Sequence, residues 1–233
     1  PFYIALPLVL VVTVVLGFLI ERVAYKPLRT APRMSVLITA IGVSYLLQSI
    51  AQLIFGAKAQ SVSLPSLGAV NIAGTNVSVS SILTMGISAV IMVALTLFIK
   101  KTRTGRAMLA VSEDRGAAQL MGINVNKIIT VTFAIGSALA AFASVFYLFQ
   151  IPTAEPTLGS MPGIKAFTAA VIGGIGSIPG AMIGGVLLGV IEKICLAVPV
   201  LAPYTTAVEF SLLILILLVR PIGLLGKKRR EKV

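Results

Sequence analysis

Residues 1–20, PFYIALPLVLVVTVVLGFLI, carry no charged side chain, and the run stops at Glu21 and Arg22. About 20 helical residues at 1.5 Å each cover the roughly 30 Å hydrocarbon core of a bilayer. Runs of the same kind return at 35–55, 79–99, 128–149 and 205–219, the last holding one carboxylate, Glu209. In hydrocarbon each backbone N–H and C=O needs a partner within the protein, so runs of this length imply helices. Only 11% of the 233 residues are charged and 58% are hydrophobic. Soluble domains carry about 25% charged residues, and this chain has too few to solvate a globule. The expectation is an all-α, polytopic membrane protein whose residues 1–233 form a single transmembrane domain. The opening PFYIALP, without Met, reads as a piece whose beginning is missing.

The formal charge of +12 raises the possibility of a nucleic-acid partner, but its distribution points elsewhere. Of the 19 Lys and Arg, four lie in 21–34, six in 100–127 and six in 220–233, which leaves only Lys58, Lys165 and Lys193. Cations clustered between apolar runs are the positive-inside signature, and they put all three patches in the cytoplasm. No aromatic interleaving or continuous basic face suits nucleic acid. The expected order is therefore an outside start, a cytoplasmic turn at 21–34, an external loop at 56–78 with a small hairpin, a cytoplasmic projection at 102–126, an external loop at 150–161, and a basic cytoplasmic tail at 220–233. If 164–191 were one crossing, the tail would end outside. Two short crossings meeting at Gly176-Ser177-Ile178-Pro179-Gly180, where helix should fail, restore the parity and give about seven crossings.

Chemistry of the catalytic kind has little to draw on. There is no His and one Cys, Cys195. No nucleotide-binding Gly-Lys pattern occurs, and Glu113 and Asp114 are adjacent rather than opposed. No cofactor or metal is expected, and an enzyme is excluded. Proton- or sodium-driven carriers need mid-membrane carboxylates or His, and Glu209, about one turn inside its run, is the single candidate for a buried charge. A channel would show a ring of charges or a filter-like repeat, which is absent.

Three groups of residues remain. Gly173, Gly174, Gly176, Gly180, Gly184, Gly185 and Gly189 suit close helix packing in lipid. The break at Ser177 and Pro179 alternatively lines a passage or a joint. Ser44, Gln48 and Gln52 recur every four residues on one helix face, for interhelical hydrogen bonds or a solute path. The projection at 102–126 is either a solvated loop or a docking element. Its candidate contacts are Arg106, Ser112, Glu113, Asp114, Arg115, Ala117, Ala118, Leu120, Met121 and Gly122. Two short helices are expected there, over 106–111 and 114–121, with Ser112 capping the second and Gly122 closing it. An apolar tip at Leu120 and Met121 fits the groove of a soluble partner.

The runs AVSEDRGAAQLMGINVNKI, LIERVAYKPLR, LITAIGVSYLLQ, MPGIKAFTAAVIGGIGSIPGAMIGG and RPIGLLG resemble, in the same order, signatures of the permeases of branched-chain amino acid ABC importers (LivH/LivM type), closest to the LivH-like subunit. The resemblance covers essentially the whole chain. It implies a homologous second permease chain, cytoplasmic ATP-binding subunits, and an extracytoplasmic substrate-binding protein that delivers leucine, isoleucine or valine to the cell membrane. It also implies that residues 110–122 meet the ATPase, with Ala117, Ala118 and Gly122 in the matching pattern and Gly116 where relatives often carry a longer residue. Relatives begin with further membrane segments. A permease for urea or another small solute, and a self-sufficient ion-coupled carrier, are the rival expectations.

Overall fold

The computed structural model of the chain describes residues 2–29, 31–65, 68–72 and 75–226, and it divides into two compact units between Leu158 and Gly159. The first unit holds α1 (Phe2–Ile20), α2 (Arg33–Phe55), α3 (Val79–Lys101), α4 (Arg103–Glu113), α5 (Arg115–Leu120) and α6 (Val125–Gln150). Four short strands accompany them: β1 (Gln60–Ser61), β2 (Ala69–Ile72), β3 (Thr75–Ser78) and β4 (Thr153–Ala154). The second unit holds α7 (Ser160–Gly173), α8 (Ile178–Ala197) and α9 (Thr205–Val219).

The apolar runs are helices, and several of their hydroxyls are satisfied locally, although the buried Thr96 hydroxyl has no hydrogen-bond partner among the described residues. Thr13, Thr39, Thr84, Thr132 and Ser137 each donate to the carbonyl four residues back at 2.7–2.8 Å. That arrangement hides a polar group inside its own helix, which is what a hydrocarbon environment requires. α1 packs antiparallel to α6, and the approach is close because position 17 is Gly: a Cβ there would collide with Ser137 Oγ. The helix does not stop at Glu21 as the sequence suggests. It widens into a π turn, Glu21–Tyr25, closed by Lys26 N–H donating to Glu21 C=O at 2.8 Å. The wider turn directs both Glu21 and Tyr25 toward α6, where the Tyr25 ring lies 5.0 Å from that of Phe133.

The hairpin expected in 56–78 is β2 paired antiparallel with β3, in the register Ala69↔Ser78 to Ile72↔Thr75. A second pairing was not foreshadowed by the sequence. β1 pairs antiparallel with β4, Gln60 opposite Ala154, and so ties the loop after α2 to the loop after α6 at the same end of the unit.

In the second unit α7 runs antiparallel to α8, and α8 to α9. The helix takes Pro162 into the first turn of α7, where a missing N–H costs nothing. The break falls at 174–177, slightly before the expected 176–180, with Gly174 (φ 105°) and Gly176 (φ 96°) in backbone that favours Gly. Ser177 Oγ accepts from Gly180 N at 3.2 Å, and Pro179 sits in the first turn of α8. A Cβ at Gly173 or Gly180 would collide with the other's backbone, and one at Gly184 with Ala169 C=O. Gly185 meets only the Ala169 Cβ at 3.9 Å, and Gly189 faces open space. Beside this contact lies a core of Ala169, Ile172 and Leu188, covered by Leu212, Leu213 and Ile216 of α9.

The start of the expected tail is folded. Leu224 and Leu225 N–H donate to Ile172 and Gly173 C=O at 2.8 and 3.0 Å and satisfy the exposed end of α7. Gly174 and Gly223 allow this segment to lie close against the end of α7. The basic run at 227–233 lies outside the described residues.

Six helices among the described residues are long and apolar enough to cross a membrane: Ile4–Tyr25, Met34–Phe55, Val79–Lys101, Val125–Gln150, Ile178–Ala197 and Ala202–Val219. The chain is a multi-pass membrane protein. α7, with 14 residues, is about 21 Å long and shorter than the roughly 30 Å hydrocarbon core.

The glycine contacts give a graded expectation. Gly184→Leu should lower the thermal unfolding midpoint in detergent, with a loss on the order of 1–3 kcal/mol from overpacking. Gly189→Ala should leave it unchanged or slightly raised, because Ala favours helix by up to about 1 kcal/mol over Gly. Equal effects would refute the contact.

Candidate functional site

The segment between α3 and α6 is built by a series of side-chain caps. Thr102 stops α3 and starts α4: its hydroxyl donates to Phe98 C=O at 2.7 Å and accepts from Gly105 N at 3.0 Å. Gly105 is buried against the backbone of Phe98 and Ile99, and any Cβ would collide there. α4 therefore folds back tightly on the end of α3. Asp114 then caps α5, its Oδ1 accepting from Ala117 N at 3.0 Å. The expectation that Ser112 caps this helix is corrected. Ser112 lies within α4, which runs on to Glu113, and its hydroxyl donates to Leu109 C=O at 2.7 Å.

Gly122 closes α5 with φ 80°. Its N–H donates to Gln119 C=O at 2.9 Å and that of Ile123 donates to Ala118 C=O at 3.0 Å, the paired bonds of a Schellman ending. Asn124 Oδ1 accepts from Lys127 N at 3.1 Å and opens α6. Caps of this kind contribute about 1 kcal/mol each.

Inside the segment Val111, Ala118 and Val125 form a small core with Ile123, Ile128 and Ile129 around it. Ala118, placed by sequence among the contact candidates, is only 3% exposed and holds α5 against α4 and α6. Arg106, Ser112, Glu113, Asp114, Arg115, Ala117 and Gly122 lie on the surface. Leu120 and Met121 are 90% and 82% exposed at the tip. Burying an apolar side chain of this size is worth about 1.5–3 kcal/mol.

The base of the segment is anchored to α1 by residues that the sequence reading passed over. Glu21, read as the end of a span, is only 2% exposed. Arg29 donates to Glu21 Oε1 with one amine and to Asn126 Oδ1 with the other, and Thr130 Oγ1 donates to Glu21 Oε2 at 3.1 Å. A carboxylate among four cations in 21–34 was the available signal, but no local pattern tells which of the four takes it. Glu209 is therefore not the lone buried charge.

Glu209 itself is 2% exposed and receives Lys165 Nζ at 3.1 Å, while Glu192 holds the same ammonium at 3.0 Å. Lys165, outside the cationic clusters of the sequence, ties α7 to α8 and α9. On α2, Gln48 Nε2 donates to Ser44 Oγ at 3.2 Å, while Ser44 and Gln52 stay exposed. Ser177 caps α8 and Pro179 lies in its first turn.

The profile of the family described as branched-chain amino acid transport system, permease component, matches residues 1–218. The high-affinity branched-chain amino acid transport system permease protein BraD of Pseudomonas aeruginosa is 46% identical over 230 residues, covering 96% of this chain and 74% of the relative. LivH of Escherichia coli, which bears the same description, is 46% identical over 224 residues, covering 93% and 72%. The ribose import permease protein RbsC of E. coli is 31% identical over 113 residues, 46% of this chain and 35% of its own length. No solved structure matches.

The assignment of the α5 cap can be checked by amide exchange. Asp114→Ala should speed exchange at Ala117 and Ala118 roughly fivefold, the equivalent of one lost cap. Ser112→Ala should change those amides by less than about twofold. The reverse order would restore Ser112 as the cap.

Proposed function

The chain belongs to the family of branched-chain amino acid transport permeases, and on that premise we propose how its parts divide the work. It is a transport subunit and not an enzyme: the membrane-spanning permease of an ABC importer for branched-chain, nonpolar amino acids, with ATP hydrolysed on partner chains. Both compact units serve one permease domain in the cell membrane. The segments at 21–34, 102–126 and 220–233 face the cytoplasm, as their cations favour. α7 counts as a seventh, short passage, which keeps the C-terminal segment on the cytoplasmic side.

The observation that supports a coupling role is the exposed pair Leu120 and Met121 on a helix capped at both ends and packed from within. The cytoplasmic ATP-binding subunit receives this tip in a groove. Arg106 and Arg115, exposed on the same segment, suit acidic groups on the groove's rim. Force on the tip passes through the Val111–Ala118–Val125 core to the first turn of α6, and from there through Asn126, Arg29 and Glu21 to α1. Each ATPase state must favour a different permease state by its own contact free energy, since a partner indifferent to state shifts nothing.

A homologous second permease chain covers faces that this chain leaves open. α2 and α3 bury no residue across their apolar windows, and α2 presents Ser44 and Gln52 outward. Polar groups at that depth favour protein or a water-filled path over lipid. The substrate-binding protein docks at the opposite end, where β1 joins β4 and β2 joins β3. Glu209 does not suit the role of ion relay, because it is already paired with Lys165.

Leu120→Asp combined with Met121→Asp should reduce substrate-stimulated ATP hydrolysis of the assembled complex at least roughly tenfold, as expected for two interface anchors, with membrane levels unchanged. Undiminished coupling would remove the tip from the interface. ATP-loaded proteoliposomes of the whole complex should accumulate leucine with no ion gradient imposed. Uptake that instead requires a gradient would favour an ion-coupled carrier.

A further inference from the structure

Beside the Glu21–Arg29 network lies a cavity of about 310 Å³, lined by residues from the end of α1, the π turn and the start of α6. Its lining includes Arg22, Lys26, Arg29 and Lys127 against the single carboxylate of Glu21, a surplus of three positive charges. That carboxylate is already committed: Arg29 takes one oxygen and Thr130 the other. Among the described residues Arg22, Lys26 and Lys127 form no ion pair. Arg29 Nε is buried with no hydrogen-bond acceptor, an arrangement proteins rarely leave unmatched.

We infer that this cavity binds the phosphate headgroup of an anionic phospholipid. An anion here would meet four cationic side chains. Depth selects a lipid over a soluble phosphate. Arg22 and Lys26 follow directly on the apolar run of α1, the level at which a lipid's phosphate lies. The cavity's apolar wall is Phe18, whose ring stands 6.0 Å from the Arg22 guanidinium. Val11 and Val15, both exposed, continue down the face of α1 that carries Phe18 and Arg22 and offer a track for an acyl chain. Anionic headgroups attract basic residues at this level, and basic pockets between membrane helices hold them specifically.

A lipid seated there would touch α1, the π turn and the first turn of α6 together, so it would stiffen the joint below the Thr102–Asn126 segment. The inference rests on membrane location alone and is independent of which solute is carried.

The sequence has no Trp, so Phe18→Trp places a single fluorophore at the cavity wall. The full chain carrying it is reconstituted in phosphatidylcholine nanodiscs doped with bromoacyl phosphatidylglycerol or, in parallel, bromoacyl phosphatidylcholine. Quenching by the anionic lipid should be stronger on the order of tenfold in apparent association, the effect of one to two basic contacts. Arg22→Gln with Lys127→Gln should abolish that preference. Lys26→Gln alone should weaken it, and serves if the double variant does not reconstitute. Lys100→Gln with Lys101→Gln removes equal charge from the end of α3, outside the cavity, and should leave the preference intact. Absence of any preference, or equal loss in the α3 pair, would overturn the site. Abolition of the preference by millimolar glycerol phosphate would instead assign the cavity to a soluble phosphate ester and overturn the lipid.

Discussion

In hydrocarbon a backbone N–H or C=O has no water to turn to, and each group left alone costs several kcal/mol. Almost every feature of this chain follows from that constraint. The long runs are helices because a helix satisfies its own backbone, and several of their Ser and Thr hydroxyls bond back to the preceding turn. The difficulty is concentrated where a helix ends, because four carbonyls or four N–H groups are released there. At the end of α7 the released carbonyls of Ile172 and Gly173 are taken by Leu224 and Leu225 from a segment about 50 residues further on. Gly174 and Gly223 are needed for that approach, since a side chain at Gly223 would strike the backbone of Gly174 and one at Gly174 would strike that of Gly226.

The same constraint governs charge. An isolated carboxylate in a low-dielectric interior is costly, and each of the two buried ones here has a cation within reach. Each pair is also a tie between helices: Glu21 and Arg29 hold the end of α1 to the start of α6, and Lys165 holds α7 to α8 and α9. Removing one partner of such a pair leaves an uncompensated charge, so both ties are expected to act as rigid joints. An ATP-driven permease needs such joints, because a push at one end is useful only if it is not absorbed along the way.

The segment between α3 and α6 solves a different problem. It is short, and helices of six and eleven residues are marginal on their own, since nucleation is costly below about 12–15 residues. Thr102, Asp114, Gly122 and Asn124 fix each boundary with a side chain or a left-handed turn, and three small apolar residues fill the inside. The result is a firm support for Leu120 and Met121. The relatives named as branched-chain amino acid permeases match this chain over most of its length.

The sequence by itself determined the membrane class, the helical spans, the alternation of basic and polar ends, and the break near Gly176, because each depends on residues adjacent along the chain. Apolar run length, cation clusters and Pro–Gly turns are local signals. Gly122 as a helix ending was legible for the same reason, whereas Ser112 was mistaken for the cap because Ser and Asp both qualify locally and only the extent of α4 separates them. Tertiary structure alone decided that Glu21 meets Arg29 and Thr130, that Lys165 meets Glu192 and Glu209, and that β1 meets β4. It also decided which glycines, 173, 180 and 184 but not 189, lie at the helix contact. The physical reason is that long-range pairing depends on helix rotation and depth, set by many weak packing contacts acting together, and no short stretch of sequence records their sum.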